Sequence, residues 1–308
     1  MIWLGWRQQR TETVIAAVVL GVLALVLIPT GLSMSSAYHR DGLAACLAAA
    51  QHGGCGDAVA AFTSRFGNLR QVTGWLTLVP GLIGILLAAP FVTQLEQGTY
   101  RLDWTQSITR GRWIAGKLGL AVATAASAAV LLALMLMWWH GPLANVQGRV
   151  SNAVYDSEGT VVLAYTLFAL GLAVAVGAVW RRAVPSLVLG LVGYAAVRVF
   201  VDVWLRQRLV SPATATWSVT GRAPNLDRAW VLSQYPTDRA GHRLPFFSCP
   251  HGAGGACRLP TLHHGYIHAV FQPAGHFWAL QTVETAIFTG VAIALLALGA
   301  WWTHERGA

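Results

Sequence analysis

Six long apolar runs, separated by shorter polar segments, dominate the chain. A bilayer core about 30 Å thick needs about 20 helical residues at 1.5 Å rise each. The runs predict membrane spans at about 14–32, 75–92, 114–139, 161–179, 184–205 and 278–302. Charged residues make up only 11% of the chain and the mean hydropathy is +0.53, which agrees with a membrane location. We therefore predict an all-α polytopic membrane protein with six transmembrane helices.

The arginines favour one orientation of these spans, because basic residues concentrate in short loops that stay in the cytoplasm. With the amino terminus inside, the segments 1–12, 93–113, 180–183 and 303–308 carry eight arginines in about 43 positions. The short outside loops 34–73 and 140–159 carry four in about 60. We predict cytoplasmic termini in a bacterial plasma membrane. Anionic lipid facing these flanks accounts for part of the net charge of +9, so the charge requires no nucleic-acid partner.

The four cysteines fall on the predicted outer side. Cys46 and Cys55 lie in the loop 34–73, and Cys249 and Cys257 lie in the long segment 206–277. Disulfides persist in oxidising compartments, and each pair is close in sequence. We predict the disulfides Cys46–Cys55 and Cys249–Cys257, against the alternative of four free thiols.

Three charged residues interrupt the predicted spans: Arg198 and Asp202 in the fifth, and Glu284 in the sixth. A charge at mid-membrane costs about 2.5–3.5 kcal/mol on insertion scales. Arg198 and Asp202 share a helical face, and the opposite direction of the sixth span brings Glu284 to nearly the same depth. The pattern predicts one ion cluster near the outer leaflet. It is either a structural salt bridge or the polar lining or gate of a translocation path.

Small residues recur every four positions in three spans, as expected where helices pack closely in lipid. The stripes are Ala121, Ala125 and Ala129; Ala169, Ala173 and Gly177; and Ala286, Gly290 and Ala294. We predict that they form helix contacts within the bundle or between two copies.

The segment 94–113, between the second and third spans, is long for a turn. It has an acidic start, a break at Gly98, an amphipathic middle with Leu102 and Trp104, and a basic end. A short helix along the membrane fits this pattern. It either offers one face to a cytosolic partner or is an interfacial anchor with no partner. The first twelve residues likewise predict an amphipathic interfacial helix.

Motifs for catalysis are weak. The stretch that starts at Gly111 fits the beginning of a phosphate-binding GxxxxGK loop, but Leu118 stands where a Ser or Thr would hold Mg²⁺, and no predicted strand precedes it. In 206–277, His264 and His268 would share a face if that stretch is helical, yet no HExxH motif occurs. We predict no catalytic residue, no metal site and no cofactor in this chain.

Several stretches along nearly the whole chain occur together in a characteristic order. They are IWLGWRQQR at 2–10, LEQGT at 95–99, WTQS at 104–107, RW at 112–113, KLG at 117–119, Arg198, DVWLR at 202–206, FQPA at 271–274 and FW at 277–278. In this order and spacing they resemble the permease subunits of ABC transporters of the ABC-2 type, especially the stand-alone permeases of actinobacteria.

The resemblance implies a six-helix domain with an interfacial helix at 1–12, a coupling helix at 94–113 and extracellular helices in 206–277. The last span and a cytoplasmic tail follow at 278–308. It also implies a separate ATPase subunit, which binds ATP and Mg²⁺, in an assembly of two permeases and two ATPases. The expected contacts with that ATPase are Glu96, Gln97, Arg101, Trp104, Arg110 and Arg112. The permease is expected to be a homodimer surrounded by membrane lipid.

The sequence as a whole predicts an export permease for a lipid-like, peptide or drug-like substrate. Two other classes remain as alternatives. One is a membrane enzyme with its site in the segment 206–277. The other is a non-transporting sensor or immunity protein that binds an extracellular ligand through its disulfide-linked loops.

Overall fold

The computed structural model of the chain describes residues 2–49, 55–67, 69–100, 109–221, 223–224, 226, 228–244 and 265–306. Six helices in these ranges are long and apolar enough to cross a bilayer. They are Arg10–Arg40, Gly74–Gln97, Arg110–Gln147, Val161–Trp180, Ala183–Leu209 and Ala274–Arg306. Each contains one of the six predicted spans or coincides with it within a few residues, so the predicted six-span helical bundle is confirmed.

The described elements are numbered here in chain order. The helices are α1 (Ile2–Arg40), α2 (Leu43–Ala49), α3 (Gly56–Phe66), α4 (Leu69–Leu76), α5 (Val79–Gln97), α6 (Arg110–Gln147), α7 (Asn152–Tyr155), α8 (Val161–Trp180), α9 (Ala183–Phe200), α10 (Arg206–Leu209) and α11 (Phe277–Arg306). A π-helical turn, Val201–Leu205, joins α9 to α10. The strands are β1 (Ala213–Ser218), β2 (Trp230–Thr237) and β3 (Tyr266–Gln272).

The six spans alternate in direction, which gives the bundle two distinct sides. Helix α1 begins and α11 ends on one side, which we call the terminus side. The turn between α8 and α9, the end of α5 and the start of α6 lie there as well. The opposite side carries α2 to α4, α7 and the strands, and we call it the sheet side.

Helix α8 is the centre of the bundle and packs against α5, α6, α9 and α11. It is apolar all round, as expected for a helix surrounded by other helices. Gly84 on α5 allows a very close approach, because a Cβ at that position would lie 2.3 Å from the carbonyl oxygen of Thr166. Ala169 on α8 lies in this contact region and is fully buried.

Two of the three predicted stripes of small residues are packing surfaces in this chain. Ala121, Ala125 and Ala129 are buried on α6, and Ala169, Ala173 and Gly177 are buried on α8. On α11, by contrast, Ala286, Gly290 and Ala294 are exposed. Within the chain, Ala292 and Gly299 form the buried small-residue face of α11 instead, so for the predicted stripe only the alternative of a contact between two copies stays a prediction.

Helix α1 has no break between its first residues and the first span. It runs over 39 residues from Ile2 to Arg40, which corresponds to about 58 Å at 1.5 Å per residue. Residues 2–12 are therefore part of the same helix as the first span, and their position at the membrane interface stays a prediction. The length exceeds the thickness of a bilayer core by about 28 Å.

A small second core lies on the sheet side, where the ends of α1 and α6 meet α2 and α3. Met34, Tyr38, Phe62 and Leu143 are buried there. The predicted disulfide Cys46–Cys55 is present, with a Cα–Cα distance of 5.9 Å, and it ties α2 to the start of α3. The second predicted pair, Cys249 and Cys257, lies outside the described residues.

The segment 206–277 differs from the helices that the resemblance implied. It contains a three-stranded antiparallel sheet in the order β1–β3–β2. Strand β3 is central, and Ala269 in its middle is fully buried. The sheet leads through a short 3₁₀ turn, Ala274–His276, directly into α11. The membrane part of the protein is thus all helical, and the large connection before the last span is built on strands.

Candidate functional site

Two guanidinium groups and three carboxylates meet on the sheet side, where α9, α10, α11 and the turn before α8 converge. We call this group the ion cluster, and its members are Asp156, Arg198, Asp202, Arg206 and Glu284. Arg206 is at the centre, 2.5 Å from Asp156, 2.6 Å from Asp202 and 3.1 Å from Glu284. Its Nε and Nη2 donate to the two oxygens of Glu284, which is the paired geometry that guanidinium and carboxylate favour.

Arg198 joins the same group from one end of α9. Its Nη2 lies 2.7 Å from Asp156, and its Nη1 lies 3.5 Å from Glu284. The structure therefore brings together the three charged residues that interrupt the predicted spans, with Arg206 between Asp202 and Glu284. The arrangement links spans five and six to the segment between α6 and α8.

Four of the five charged side chains are removed from the surface. The exposed fraction is 1% for Arg206 and Glu284 and 7% for Arg198 and Asp156, whereas it is 34% for Asp202. Buried charges are tolerated only when they are paired and hydrogen bonded. Asp202 is thus the one member of the ion cluster whose side chain reaches the surface of this chain.

Tyrosines complete the surroundings of the ion cluster. The hydroxyl of Tyr165 donates to Glu284 over 2.5 Å. The guanidinium of Arg198 lies 3.8 Å from the centre of the Tyr165 ring, and that of Arg206 lies 4.4 Å from the Tyr155 ring. These ring faces stabilise the cations where water is excluded.

The π turn between α9 and α10 explains why both arginines face the same carboxylates. In a regular α-helix, Arg206 would follow Arg198 by eight residues, and its side chain would point about 80° away from the direction of Arg198. A π turn takes about one residue more than an α turn, so it rotates Arg206 back toward the face that holds Arg198. Asp202 lies in this turn and bonds to Arg206 one turn further on.

Asp156 is the one carboxylate of the ion cluster outside the spans, and the neighbouring charges lower its pKa. Burial would raise the pKa of Asp156, but the guanidiniums of Arg198 and Arg206 outweigh this and hold the pKa below its usual value. The neighbouring Glu158 shows the opposite result. Burial raises its pKa, and the hydrogen bond from Arg149 opposes the rise only in part.

On the terminus side, α5 ends at Gln97, and Gly98 follows in the left-handed region with φ of +69°. Glu96 does not point freely away from the chain: its Oε2 accepts a hydrogen bond of 2.9 Å from the backbone N–H of Ala183, at the start of α9. Of the other predicted ATPase contacts, Gln97 and Arg112 are exposed, and Arg110 is half-buried in the first turn of α6. Arg101 and Trp104 lie outside the described residues.

The weaker chemical motifs take ordinary structural places. The GxxxxGK stretch lies within α6, so its backbone amides belong to a helix and not to a loop. His268 lies on β3, where its Nδ1 is 2.8 Å from the hydroxyl of Thr216, and His264 lies outside the described residues. The two histidines therefore do not form the helical pair considered above. In the part of the chain that the structure describes, no three His, Cys, Asp or Glu side chains are grouped as a metal site would need.

The fold and the ion cluster define a multi-pass helical membrane protein whose last two spans are joined by buried charges. The family described as ABC-2 membrane transporter related matches residues 17–206, which is more than half of the chain. The protein belongs to this family and is a transmembrane subunit of an ABC transporter. No curated protein and no solved structure matches the chain. The family match includes four members of the ion cluster and excludes Glu284 and the sheet.

Proposed function

We propose that the protein is the permease of an ABC exporter that moves a lipid-like, peptide or drug-like substrate out of a bacterial cell. ATP and Mg²⁺ bind to a separate ATPase subunit, in an assembly of two permeases and two ATPases. Both termini are cytoplasmic, so the terminus side faces the ATPase and the sheet side faces outward. Family membership and the distribution of arginines support this assignment.

One observation carries the proposal furthest: the connection 98–109 joins spans two and three on the terminus side between exposed polar residues. Glu96 and Gln97 precede it, and Arg112 follows it in the first turn of α6. A short amphipathic segment between two spans is suited to receive a partner and pass its movement to the helices. Trp104, in the middle of this segment, supplies an apolar side chain for such a contact.

One surface between the spans supports the proposed chemistry of the substrate. A cavity of about 310 Å³ lies between α1, α5 and α6, and alkyl groups such as those of Ala16, Leu87 and Leu131 line most of it. Ser127 and Thr124 also line it, but their hydroxyls hydrogen bond to the backbone of their own helix. Such a surface favours amphiphilic or apolar molecules, which supports the proposed substrate class.

The ion cluster is proposed to close the pathway on the sheet side. Arg198 and Glu284 are buried between protein elements in this conformation, so their direct contribution is to hold spans five and six together. Asp202 is the member through which a pathway has access to the cluster, because about a third of its side chain is exposed. Opening would require these ion pairs to separate or rearrange.

The test is to purify the protein from its native membrane in mild detergent and to identify the proteins that accompany it. We expect a stoichiometric ATPase subunit, whose recovery falls strongly in the double variant Trp104→Ala and Arg112→Ala. Arg10→Ala is the matched control, because Arg10 is also an exposed arginine on the terminus side, at the start of span one. Repeated recovery of the protein without an ATPase would refute the assignment, as would equal losses in the control.

A further inference from the structure

Helix α9 is held at both of its ends by carboxylates that belong to other elements. At the terminus side, Glu96 on α5 accepts the hydrogen bond from the N–H of Ala183. At the sheet side, Asp156 and Glu284 bind Arg198 near the end of α9. The same two carboxylates bind Arg206 just beyond the π turn.

The hydrogen bond at the start of α9 fills a position that the helix cannot fill itself. The first N–H groups of a helix have no partner within the helix. Arg182 precedes the first residue of α9, and its side chain makes no capping hydrogen bond. A carboxylate at this place satisfies one N–H group and also interacts favourably with the positive end of the helix dipole.

Glu96 is also placed directly before the proposed docking segment. Only Gln97 separates it from Gly98, where α5 ends and the connection to α6 begins. A displacement of that connection therefore reaches the Glu96 carboxylate through less than one helical turn. From Ala183 to Arg206, α9 and its extension carry the displacement over about 35 Å to the ion cluster.

One face of helix α9 packs closely against α5 and α8. The ring of Tyr194 lies against Gly81 on α5, and its hydroxyl donates to the carbonyl oxygen of Thr77 over 3.1 Å. Gly190 contacts Ala173 on α8. Close packing of this kind transmits a shift because the contacts cannot deform gradually.

We propose that Glu96 is a positioning residue, whose hydrogen bond to Ala183 couples the end of α5 to α9 and, through α9, to the ion cluster. This inference rests on the proposed function, because it concerns how the ATPase drives the permease. It differs from the expectation that Glu96 is a contact for the ATPase surface. In the proposal, the acceptor oxygen and the reach of the side chain are essential, and the negative charge is secondary.

Two variants of Glu96 separate these roles. Glu96→Gln keeps an acceptor oxygen at the same reach but removes the charge. Glu96→Asp keeps the charge but is shorter by one methylene, or about 1.5 Å. The 2.9 Å hydrogen bond to Ala183 would then lie beyond hydrogen-bond range. Glu305→Asp is the matched control, since Glu305 is also an exposed glutamate on the terminus side, near the end of α11.

The experiment uses the permease–ATPase complex in lipid nanodiscs and a reporter cysteine, Arg208→Cys, at the exposed end of α10. The reaction rate of a thiol reagent with this cysteine is measured without nucleotide and after trapping with ATP and vanadate. The protein without the reporter gives the background from its own cysteines. Recovery of the ATPase with the permease is measured on the same samples.

We expect Glu96→Gln and Glu305→Asp to keep most of the nucleotide-dependent change in reaction rate. Glu96→Asp is expected to reduce that change at least fivefold while the ATPase is recovered at the parent level. The reverse pattern, in which Glu96→Asp behaves as the parent and Glu96→Gln loses the ATPase, overturns the inference in favour of a docking contact. Absence of an ATPase from the parent protein itself would instead refute the proposed function.

Discussion

Replacing Arg206 with methionine removes the guanidinium that contacts three carboxylates of the ion cluster. The cluster has two guanidiniums and three carboxylates, so its formal charge of −1 becomes −2 in the variant. Methionine preserves part of the side-chain volume, and the change is therefore mainly electrostatic. Asp156 and Glu284 keep Arg198 as a partner, whereas Asp202 loses the partner shown here.

The expected cost is set by the burial of the groups that remain. Removing one partner of a buried ion pair typically costs about 3–5 kcal/mol, because the other charge is left without compensation. The three contacts of Arg206 belong to one network, so their individual contributions do not add. We expect the free energy of unfolding to fall by about 3–5 kcal/mol, which is roughly a hundredfold to several thousandfold change in the folded fraction relative to the unfolded.

The assay is unfolding of the purified protein in lipid nanodiscs, followed through the fluorescence of its 14 tryptophans. Arg208→Met is the control, since Arg208 is exposed and lies two residues further along the same short helix. A surface substitution of this kind costs about 0.5 kcal/mol or less. If Arg206→Met is within about 1 kcal/mol of this control, the reasoning about uncompensated buried charge is refuted.

A second substitution tests whether charge is the cause. Glu284→Gln in the Arg206→Met background removes one of the three carboxylates that then share the single guanidinium of Arg198, and it returns the formal charge of the cluster to −1. We expect the double variant to be more stable than the sum of the two single effects, by about 0.5–3 kcal/mol. Strict additivity would show that packing around Arg206 explains the loss better than its charge does.

Three further predictions concern other parts of the chain. The pKa of Asp156 is lowered in the folded state, so its charged form stabilises the fold. This stabilisation is complete above the unfolded-state pKa of about 3.9 and is lost as the pH falls below that value. Acid unfolding of Asp156→Asn should therefore vary less with pH than that of the parent. Replacing both Cys46 and Cys55 with serine removes a disulfide that spans a sequence separation of 9 residues. We expect this to lower the free energy of unfolding by about 2–3 kcal/mol on the chain-entropy account, measured by thermal unfolding, and to speed proteolysis of this region. Unchanged proteolysis would contradict a stabilising role of the disulfide there. Gly84→Ala places a Cβ against the backbone of α8 and should lower the free energy of unfolding by about 1–3 kcal/mol. Gly116→Ala, which has open space around it, should not lower it. Equal Tm values for the two variants would contradict the close approach of α5 and α8.

The membrane helices were predictable because their signal is strong and local. An apolar run of about 20 residues has few alternatives to a spanning helix, since each backbone polar group must find its partner within the segment. The disulfide Cys46–Cys55 was predictable for a related reason, because two cysteines so close in sequence on an oxidising side have little choice of partner. In both cases the deciding information lies within a short stretch of chain.

The sheet was missed although a signal for it exists. In β1, Thr214 and Thr216 alternate with Ala213, Ala215 and Trp217, which is the period of a strand. A run of six residues is too short to decide between strand and helix on its own. Its partner β3 lies about 50 residues further along the chain, so the pairing that stabilises both strands is not visible locally.

The ion cluster was predictable only where a charge was out of place. Arg198, Asp202 and Glu284 were found because charges inside apolar spans are costly and need a reason. Asp156 gave no such signal, since an aspartate in a connecting segment is ordinary. Arg206 follows the predicted end of the fifth span. Its inward direction depends on a π turn, which the hydrophobic periodicity of the sequence did not predict.

Glu96 shows a different limit of sequence reasoning. Its position before a glycine at the end of span two indicated a polar residue with a role on the terminus side. The hydrogen bond to Ala183 joins residues 87 positions apart. Only the packing of α5 beside α9 brings these two groups together, and that packing depends on the whole bundle.

The π turn at Val201–Leu205 makes the direction of Arg206 depend on the local helix type as well as on the number of residues. Deleting a single residue there would favour a regular α-helix, in which seven residues from Arg198 to Arg206 end only about 20° short of two full turns. Arg206 would then still face Asp156 and Glu284. Among relatives, a one-residue gap at this place is therefore compatible with the same charge arrangement, whereas a regular α-helix of unchanged length would turn Arg206 away by about 80°.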